Sequence, residues 1–377
     1  MNRVIYQHGL VIGKFYPPHR GHEYLIRTAA RHAACVTVAV LGSSVESLPM
    51  PLRVQWLRET VQDLPNVRIV AELDDVAVDY HNPAIWDAHI AIMRQALAQA
   101  DRQYGAARPV DAVFTSEPYG DELARRFAAS HICLDQPRVL HPVSGTAVRG
   151  SPIARWLHLP EPVRAGLALR VVVVGAESTG TTTLSRDLAQ ALQARGGIWS
   201  RTEWVGEFGR EYSANLLAVA RASNPHCRPE QLDWHSEDFV AIALEQCRRE
   251  QQAARSGGPV LVCDTDALAT HIWHERYMAQ ANAAVARIAA AMPPRALYLL
   301  TSHAGVPFED DGLRDGEHLR PWMTARFREV LAAQTVPWLE LEGDRPARCH
   351  KALAAIDSLL AQAWQFALPL EARQQGN

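Results

Sequence analysis

At 377 residues the chain is too long for one ordinary core, so two domains are expected. Hydrophobic residues make up 48% and charged residues 21%, the balance of a globular protein, and a formal net charge of -3 supplies no basic footprint for general nucleic-acid binding. No apolar run approaches membrane-spanning length and the N-terminus lacks a signal-peptide pattern, so neither a membrane nor secretion is expected. The six cysteines, Cys35, Cys133, Cys227, Cys247, Cys263 and Cys349, are scattered without a Cys-x-x-Cys pair. Disulfides and a structural zinc site are therefore not expected; buried thiols in a reducing cytoplasm are.

In chain order, residues 3–12 read as a strand and Val36–Leu41 as a second, with a helix over His22–Ala34 between them. That is one βαβ unit, which implies parallel pairing and a right-handed crossover. Arg53–Gln62 reads as a helix, Val67–Val70 as a strand, Ala84–Ala100 as a long helix, Val110–Thr115 as a buried strand, Asp121–Ala129 as a helix and Ile132–Leu134 as a short strand. Alternation of this kind predicts a doubly wound α/β sheet that binds ligands at the strand C-terminal ends. The pattern breaks around Gly150–Pro152 and Pro160–Pro162. The expected organisation is thus a domain over 1–150, a connection over 151–168 and a second α/β domain over 169–377.

The second domain opens on Leu169–Val174, apolar apart from Arg170, with further strands at Val260–Cys263, Ala296–Leu300 and Trp338–Leu341. Continuous apolar strands suit a sheet covered on both faces. A helix is expected over Cys349–Phe366, and Gln374–Asn377 reads as a frayed tail. Trp199, Trp204, Trp234 and Trp273 read as packing residues, although one of them could hold a flat ring.

Two runs carry chemistry in the first domain. Gly13-Lys14-Phe15-Tyr16-Pro17-Pro18-His19-Arg20-Gly21-His22 joins a strand to a helix start, where unpaired N–H groups and two imidazoles attract phosphate. Ser144-Gly145-Thr146-Ala147-Val148-Arg149 puts two hydroxyls and a guanidinium at what reads as another helix start, able to hold outer phosphates by charge-assisted bonds. Together they resemble the HxGH and SxTxxR signatures of the nucleotidyltransferase superfamily, and within it the nicotinamide mononucleotide (NMN) adenylyltransferase half of NadR-type bifunctional proteins. Phe114–Gly120 and Arg53–Arg58 are also similar to that family, and the likeness covers about the first 150 residues.

The resemblance implies a Rossmann-like domain in which the 5′-phosphate of NMN attacks the α-phosphorus of ATP. It implies that His19 and His22 contact ATP phosphates, His22 at the reacting phosphoryl group. Lys14 and Arg149 neutralise charge, Ser144 and Thr146 bind the outer phosphates, and Gly13 and Phe15 belong to the ATP site. Asp79-Tyr80-His81-Asn82-Pro83-Ala84-Ile85-Trp86 resembles the family's dinucleotide segment, which puts Asp79 and Trp86 at NMN, the indole stacked on the cationic nicotinamide.

Gly175-Ala176-Glu177-Ser178-Thr179-Gly180-Thr181-Thr182-Thr183 follows an apolar strand and opens a helix over Leu184–Ala194, the spacing of a P-loop. Its usual lysine position is Thr181, and Thr182 stands where a hydroxyl meets magnesium. The rest of the domain resembles the ribosylnicotinamide kinase half of NadR-type proteins, through Glu207–Tyr212, Cys263–Thr270 and Asp310–Asp315 with Arg320 behind. The resemblance implies a P-loop kinase-like fold, Asp264 as a Walker-B-type acid on magnesium beside Thr182, and an Arg314–Arg320 lid over the phosphates. Arg314, Arg320 or Arg210 is then left to replace the missing charge.

The expected function is salvage of ribosylnicotinamide to NAD with ATP and Mg2+, in a cytoplasmic homo-oligomer without nucleic-acid partners. Thr181 keeps a second reading open, an NMN adenylyltransferase whose second domain only senses nucleotide. A DNA-binding regulator is disfavoured because the first strand begins within a dozen residues, leaving no room for a helix-turn-helix ahead of it. A transferase for a different phosphate acceptor fits poorly with a fused kinase-like domain.

Overall fold

The computed structural model describes residues 5–370 and 372. Residues 3 and 4 of the expected first strand, and the expected tail Gln374–Asn377, lie outside them. The chain divides into two units, 1–163 with 364–377, and 164–363. The elements of the first are β1 (Tyr6–Gly13), α1 (Arg20–His32), β2 (Ala33–Gly42), α2 (Met50–Thr60), β3 (Val67–Leu73), α3 (Pro83–Tyr104), β4 (Ala112–Thr115), α4 (Gly120–Phe127), β5 (Ser130–Cys133) and α5 (Gly145–Gly150), and α6 (Glu161–Leu167) spans the division.

The five strands pair in parallel in the order β3-β2-β1-β4-β5. Alternate residues of one strand feed opposite layers, as period-2 side-chain geometry requires. Val11, Val36, Val38 and Val40 pack with Leu25 and Ile26 of α1 and Leu57 of α2, whereas Leu10, Ala39 and Leu41 pack with Ile90 and Met93 of α3. Both faces are thus covered by helices, and β1, flanked by β2 and β4, marks the point where strand order reverses.

The second unit runs β6 (Leu169–Gly175), α7 (Thr181–Gln193), β7 (Glu203–Val205), α8 (Phe208–Ser223), α9 (Ser236–Ser256), β8 (Val260–Asp264), α10 (Ala267–Met278), α11 (Ala283–Ala291), β9 (Leu297–Thr301), α12 (Arg320–Ala332), β10 (Trp338–Leu341) and α13 (Arg345–Gln362). Its strands are also all parallel, ordered β10-β9-β6-β8-β7. Val171, Val173, Val260 and Leu299 pack on Leu188 of α7 and Ile356 of α13. Arg170, the polar residue of β6, is fully buried and donates to the Ala165 carbonyl at 3.0 Å and to Gln251 at 3.2 Å, while its Nε has no partner among the described residues.

The α/β class and its two parallel sheets agree with the sequence reading, but the division between units differs from it. Residues 151–163 belong to the first unit, and so does the segment from Trp364, which the sequence reading placed in the second. Buried Trp156 packs against Trp364 at 5.8 Å between rings, Tyr16 meets Phe366 at 5.9 Å, and the Tyr16 hydroxyl donates to the Ala367 carbonyl at 3.0 Å. The expected helix over Cys349–Phe366 accordingly begins earlier, at Arg345, and ends at Gln362. All six cysteines are free thiols, three of them buried and Cys133 exposed. Among the described residues no helix is long and apolar enough to cross a membrane.

Candidate active sites

Gly13 ends β1, and the chain turns directly into α1. His19 is the N-cap: its Nδ1 accepts from the His22 N–H at 3.4 Å, and His22 Nδ1 accepts in return from the His19 N–H at 3.2 Å. Two imidazoles therefore form the reciprocal capping box usually made by a hydroxyl and a carboxylate. Their rings stack with centroids 3.6 Å apart. With both Nδ1 atoms accepting, each neutral ring carries its proton on Nε2. Burial pushes the His19 pKa well below the usual range, with help from His22 and Arg138, and lowers that of His22 to about 3, again with help from Arg138. At neutral pH the pair presents two uncharged Nε2–H donors.

The turn is shaped to hold them. A Cβ on Gly21 would sit 3.1 Å from His19 Nδ1, closer than ordinary packing. Phe15, expected at the nucleotide, is instead a core residue, 1% exposed, whose ring meets His22 edge-on at 4.7 Å. Its apolar ring fills the space under the imidazole and so positions His22. Lys14 lies 3.5 Å from Glu46, a buried carboxylate that Arg53 holds at 2.7 Å while donating to the Lys14 carbonyl at 2.9 Å.

The second run closes on the first. Ser144 caps α5, its hydroxyl accepting from the Ala147 N–H at 3.1 Å. Arg149 donates to the Tyr16 carbonyl at 2.7 Å and to Thr146 Oγ1 at 3.2 Å. His19, His22, Ser144 and Gly145 share one cleft, and Arg138 and His141 line it with them. Sequence reasoning missed those two because no motif marks their loop. It is wound around Asp135, which accepts the N–H groups of Val139, Leu140 and His141 at 2.8–3.1 Å, and it turns Arg138 toward Glu117 at 2.6 Å.

Asp79 and Trp86 do not line that cleft. Trp86 packs with Ile90 and Met93, is 7% exposed, gives its indole N–H to the Tyr80 carbonyl at 3.0 Å and has the Arg126 guanidinium 5.4 Å above its ring. The open indole face expected for nicotinamide is therefore not presented; burial in the α3 layer takes it. The exposed aromatic here is Tyr80, stacked on Tyr119 at 6.1 Å. The Asp79 carboxylate accepts from the His81 N–H at 2.9 Å.

In the second sheet the loop after β6 is built by backbone geometry. Ser178 and Gly180 adopt φ of 56° and 86°, the left-handed region that curls successive N–H groups inward. A Cβ on Gly175 would lie 2.6 Å from Thr179 Oγ1, so only glycine fits. Thr179 is buried and braces the loop, its hydroxyl donating to the Ala176 carbonyl at 2.7 Å and meeting Thr301 Oγ1 at 2.7 Å. Arg348 of α13, unmarked by any motif, holds the same loop by donating to the Thr179 and Ser302 carbonyls, each at 2.9 Å.

Two residues expected at the nucleotide, Arg320 and Glu177, also brace the loop. Arg320 is 6% exposed and one of its guanidinium nitrogens donates to the carbonyls of Val306 at 2.9 Å and Ser178 at 3.3 Å, while its buried Nε has no partner among the described residues. Glu177 accepts from Arg276 at 2.9 Å and from the Gly316 N–H at 2.8 Å, which ties the loop to the stretch before α12. Arg314 remains on the cleft wall, with Ser178 Oγ at 3.3 Å and Asp311 at 3.5 Å. Thr183 is exposed.

Thr181, Thr182, Glu207 and Asp264 meet in one cleft at this loop. Asp264 is 1% exposed and neither of its carboxylate oxygens makes a hydrogen bond. Burial raises its pKa; the Thr182 and Thr181 hydroxyls are near enough to oppose that rise without forming a bond of normal geometry. Burial, then the charge of Asp264, raises Glu207 likewise. Trp234, Phe239, Trp273 and Tyr277 form an aromatic wall, Trp234 lying 5.1 Å from Tyr277. Trp234 and Trp273 pack on Phe239 and its neighbours and also line the cleft, whereas Trp199 and Trp204 pack against the sheet core, as expected. The cleft offers N–H donors for phosphate, an unpaired acid for a hard cation and a surface for a flat ring.

Residues 170–348 match a family model described as an AAA domain. The chain is 25% identical over 283 residues to the trifunctional NAD biosynthesis/regulator protein NadR of Escherichia coli (strain K12), covering 71% of this chain and 62% of that protein. It therefore spans about three fifths of that relative's length. It is 29% identical over 168 residues to the nicotinamide-nucleotide adenylyltransferase of Methanoculleus marisnigri, covering 41% of this chain and 85% of that protein. A crystal structure of NadR protein in complex with NR has the same fold, with a TM-score of 0.66 at 19% identity over 95% of this chain and 98% of that one.

Proposed function

We propose that this relative of the NadR proteins makes NAD in two ATP-dependent steps, adenylyl transfer to NMN at the first sheet and phosphorylation of ribosylnicotinamide at the second. The observation that carries the first step is the capped imidazole pair, which presents two neutral Nε2–H donors beside Ser144 at the end of β1. A phosphate oxygen of NMN attacks the ATP α-phosphorus, the bond to the bridging oxygen breaks and pyrophosphate leaves. The nucleophile is already an anion, so no base is needed and the rate gain comes from positioning and charge stabilisation. His22 donates to the α-phosphoryl oxygens and His19 beside it. Ser144, Thr146 and Arg149 hold the outer phosphates, while Lys14 and Arg138 add charge. Asp79 and Trp86 serve the NMN side through the Tyr80 loop, which the Trp86 indole hooks in place.

In the second step the 5′-hydroxyl of ribosylnicotinamide attacks the γ-phosphorus, the bond to the bridging oxygen breaks, ADP leaves and the hydroxyl proton is given up to water. The aromatic wall of Trp234 and Tyr277 takes the cationic ring. Magnesium fits this cleft, because Asp264 keeps two buried, unbonded oxygens beside the Thr182 hydroxyl. Asp264 and Thr182 would hold the ion or its water. Bound with ATP, it neutralises phosphate charge and needs few protein ligands.

One observation favours a second reading, a domain that binds nucleotide without transferring phosphate: threonine stands where a P-loop carries lysine. The deciding experiment supplies NMN with ATP, then ribosylnicotinamide with ATP, and follows NAD and NMN formation. Both products are expected. NAD without NMN from ribosylnicotinamide would leave the sensing reading; neither product from folded protein would overturn the proposal.

A further inference from the structure

A nucleotide triphosphate entering the second cleft meets several carboxyl groups and little positive charge. Glu177, Glu207 and Asp264 line it, and among its lining residues only Arg210 and Arg314 are cationic. In a P-loop the lysine answers this by meeting the β- and γ-phosphates as a point charge. Thr181 brings a hydroxyl and no charge.

The two arginines are differently engaged. Arg314 is bound by its own loop, donating to the Glu309 carbonyl at 2.5 Å and to Ser178 Oγ at 3.3 Å. Arg210 comes from α8 and pairs with Asp311. It is the third residue of that helix, where the macrodipole is positive and a cation is unfavourable. Helix stability therefore does not account for a positive side chain there, which pairs with Asp311 and lines the cleft. The Asp311 carboxylate also lies 3.5 Å from Arg314, so one acid holds both guanidinium groups at the rim. An incoming phosphate chain presents more acceptor oxygens than that single carboxylate, and Arg can meet it bidentately.

We infer that Arg210 takes the place of the absent P-loop lysine: it is released from Asp311 and donates to the outer phosphates of the nucleotide bound at Gly175–Thr183. The inference deepens the reading of this cleft as an ATP site and rests on it, but concerns nucleotide binding, so it stands or falls apart from phosphate transfer.

The test titrates the full chain with Mg-ATP and follows hydrogen exchange in peptides covering residues 175–193, with the peptide over residues 13–32 as internal reference for the other cleft. The variants are Arg210→Gln, Arg210→Lys, Thr181→Lys and the double variant Thr181→Lys/Arg210→Gln. Loss of a charged hydrogen-bonding partner predicts that Arg210→Gln needs about 10- to 100-fold more ATP to protect 175–193. The reference peptide should be unchanged. Arg210→Lys should lose less, and the double variant should regain most of the affinity, since a lysine at 181 supplies the charge from its usual position. Unchanged affinity in Arg210→Gln would overturn the inference. So would a Thr181→Lys gain of equal factor with and without Arg210, because the two cations would then not share a task, and so would absence of protection in the unaltered chain. Failure of the kinase reading looks different: ATP protection that depends on Arg210, with no phosphorylation of ribosylnicotinamide.

Discussion

The turns Gly13–His22 and Gly175–Thr183 stand at equivalent places, each leaving the C-terminal end of the central strand where strand order reverses, the usual ligand position in open α/β sheets. They solve the phosphate problem in opposite ways. The first brings side-chain donors: two imidazoles held neutral by burial, with Arg138 and Arg149 nearby. The second brings backbone donors and acids, with Asp264 left unbonded and positive charge kept at the rim. Side-chain donors need no added cation to attract phosphate; a cradle lined by carboxylates does. The difference teaches that motif shape and charge supply are separable properties of a site.

The largest effect expected from this contrast is at His22. Replacing it with alanine removes a preorganised donor to the reacting group and also the acceptor of the His19 N–H. A loss of about 100- to 1,000-fold in kcat for NAD formation is expected, the range found when one oxyanion-type donor is deleted. Phosphorylation of ribosylnicotinamide should be unchanged. A loss confined to KM for ATP, with kcat intact, would show that His22 only binds and would break the assignment.

Acid separates the two sites next. His8, His19 and His22 have pKa values lowered chiefly by burial, so below about pH 6.5 the unfolded chain binds protons that the folded unit refuses. Stability of the first unit therefore falls as pH drops, by about 1.4 kcal/mol per pH unit for each such histidine until its folded pKa is reached. His89 opposes this, since its bond to Asp74 raises its pKa. The sign reverses at the second cleft. Glu207 and Asp264 are raised, so their folded forms hold protons that the unfolded ones have lost, and their contribution falls as pH rises past the usual carboxylate value. Hydrogen exchange corrected for intrinsic rates, taken from pH 7 to pH 5, should show protection lost first around α1 and least around α7. Equal loss in both would mean the histidine pair is not desolvated.

Much of this was legible in the sequence because local chemistry dictated it. The apolar runs of β1, β2, β6 and β8 are buried on both faces and needed no partner information, and the glycines and hydroxyls of the two turns announced strand-to-helix joins. What escaped was long-range. Arg348 braces the loop from 169 residues away, at the Thr179 carbonyl. Arg138 reaches its cleft through a loop wound on Asp135, and no periodicity encodes that. Phe15 and Arg320 lie inside motifs, yet their side chains are buried in bracing positions, which spacing alone does not reveal. The same holds for the segment from Trp364, whose place beside Trp156 depends on which aromatic ring it meets.

The smallest effect expected is at Trp86, and it tests whether an aromatic near a ligand acts by contact or by support. Its indole N–H holds the Tyr80 carbonyl, and its ring lies in the α3 layer. Trp86→Phe keeps an aromatic ring and loses the N–H; Trp86→Leu loses both. If the hook is what matters, the two variants should raise KM for NMN alike, by about 2- to 5-fold for one neutral hydrogen bond, with kcat unchanged. Direct stacking on nicotinamide predicts instead that phenylalanine largely preserves KM while leucine does not. Melting temperatures of both variants separate either result from simple loss of core packing, since leucine leaves the larger void. Equal KM shifts with unequal melting would place Trp86 with Phe15, as a core residue that works by holding another group in position.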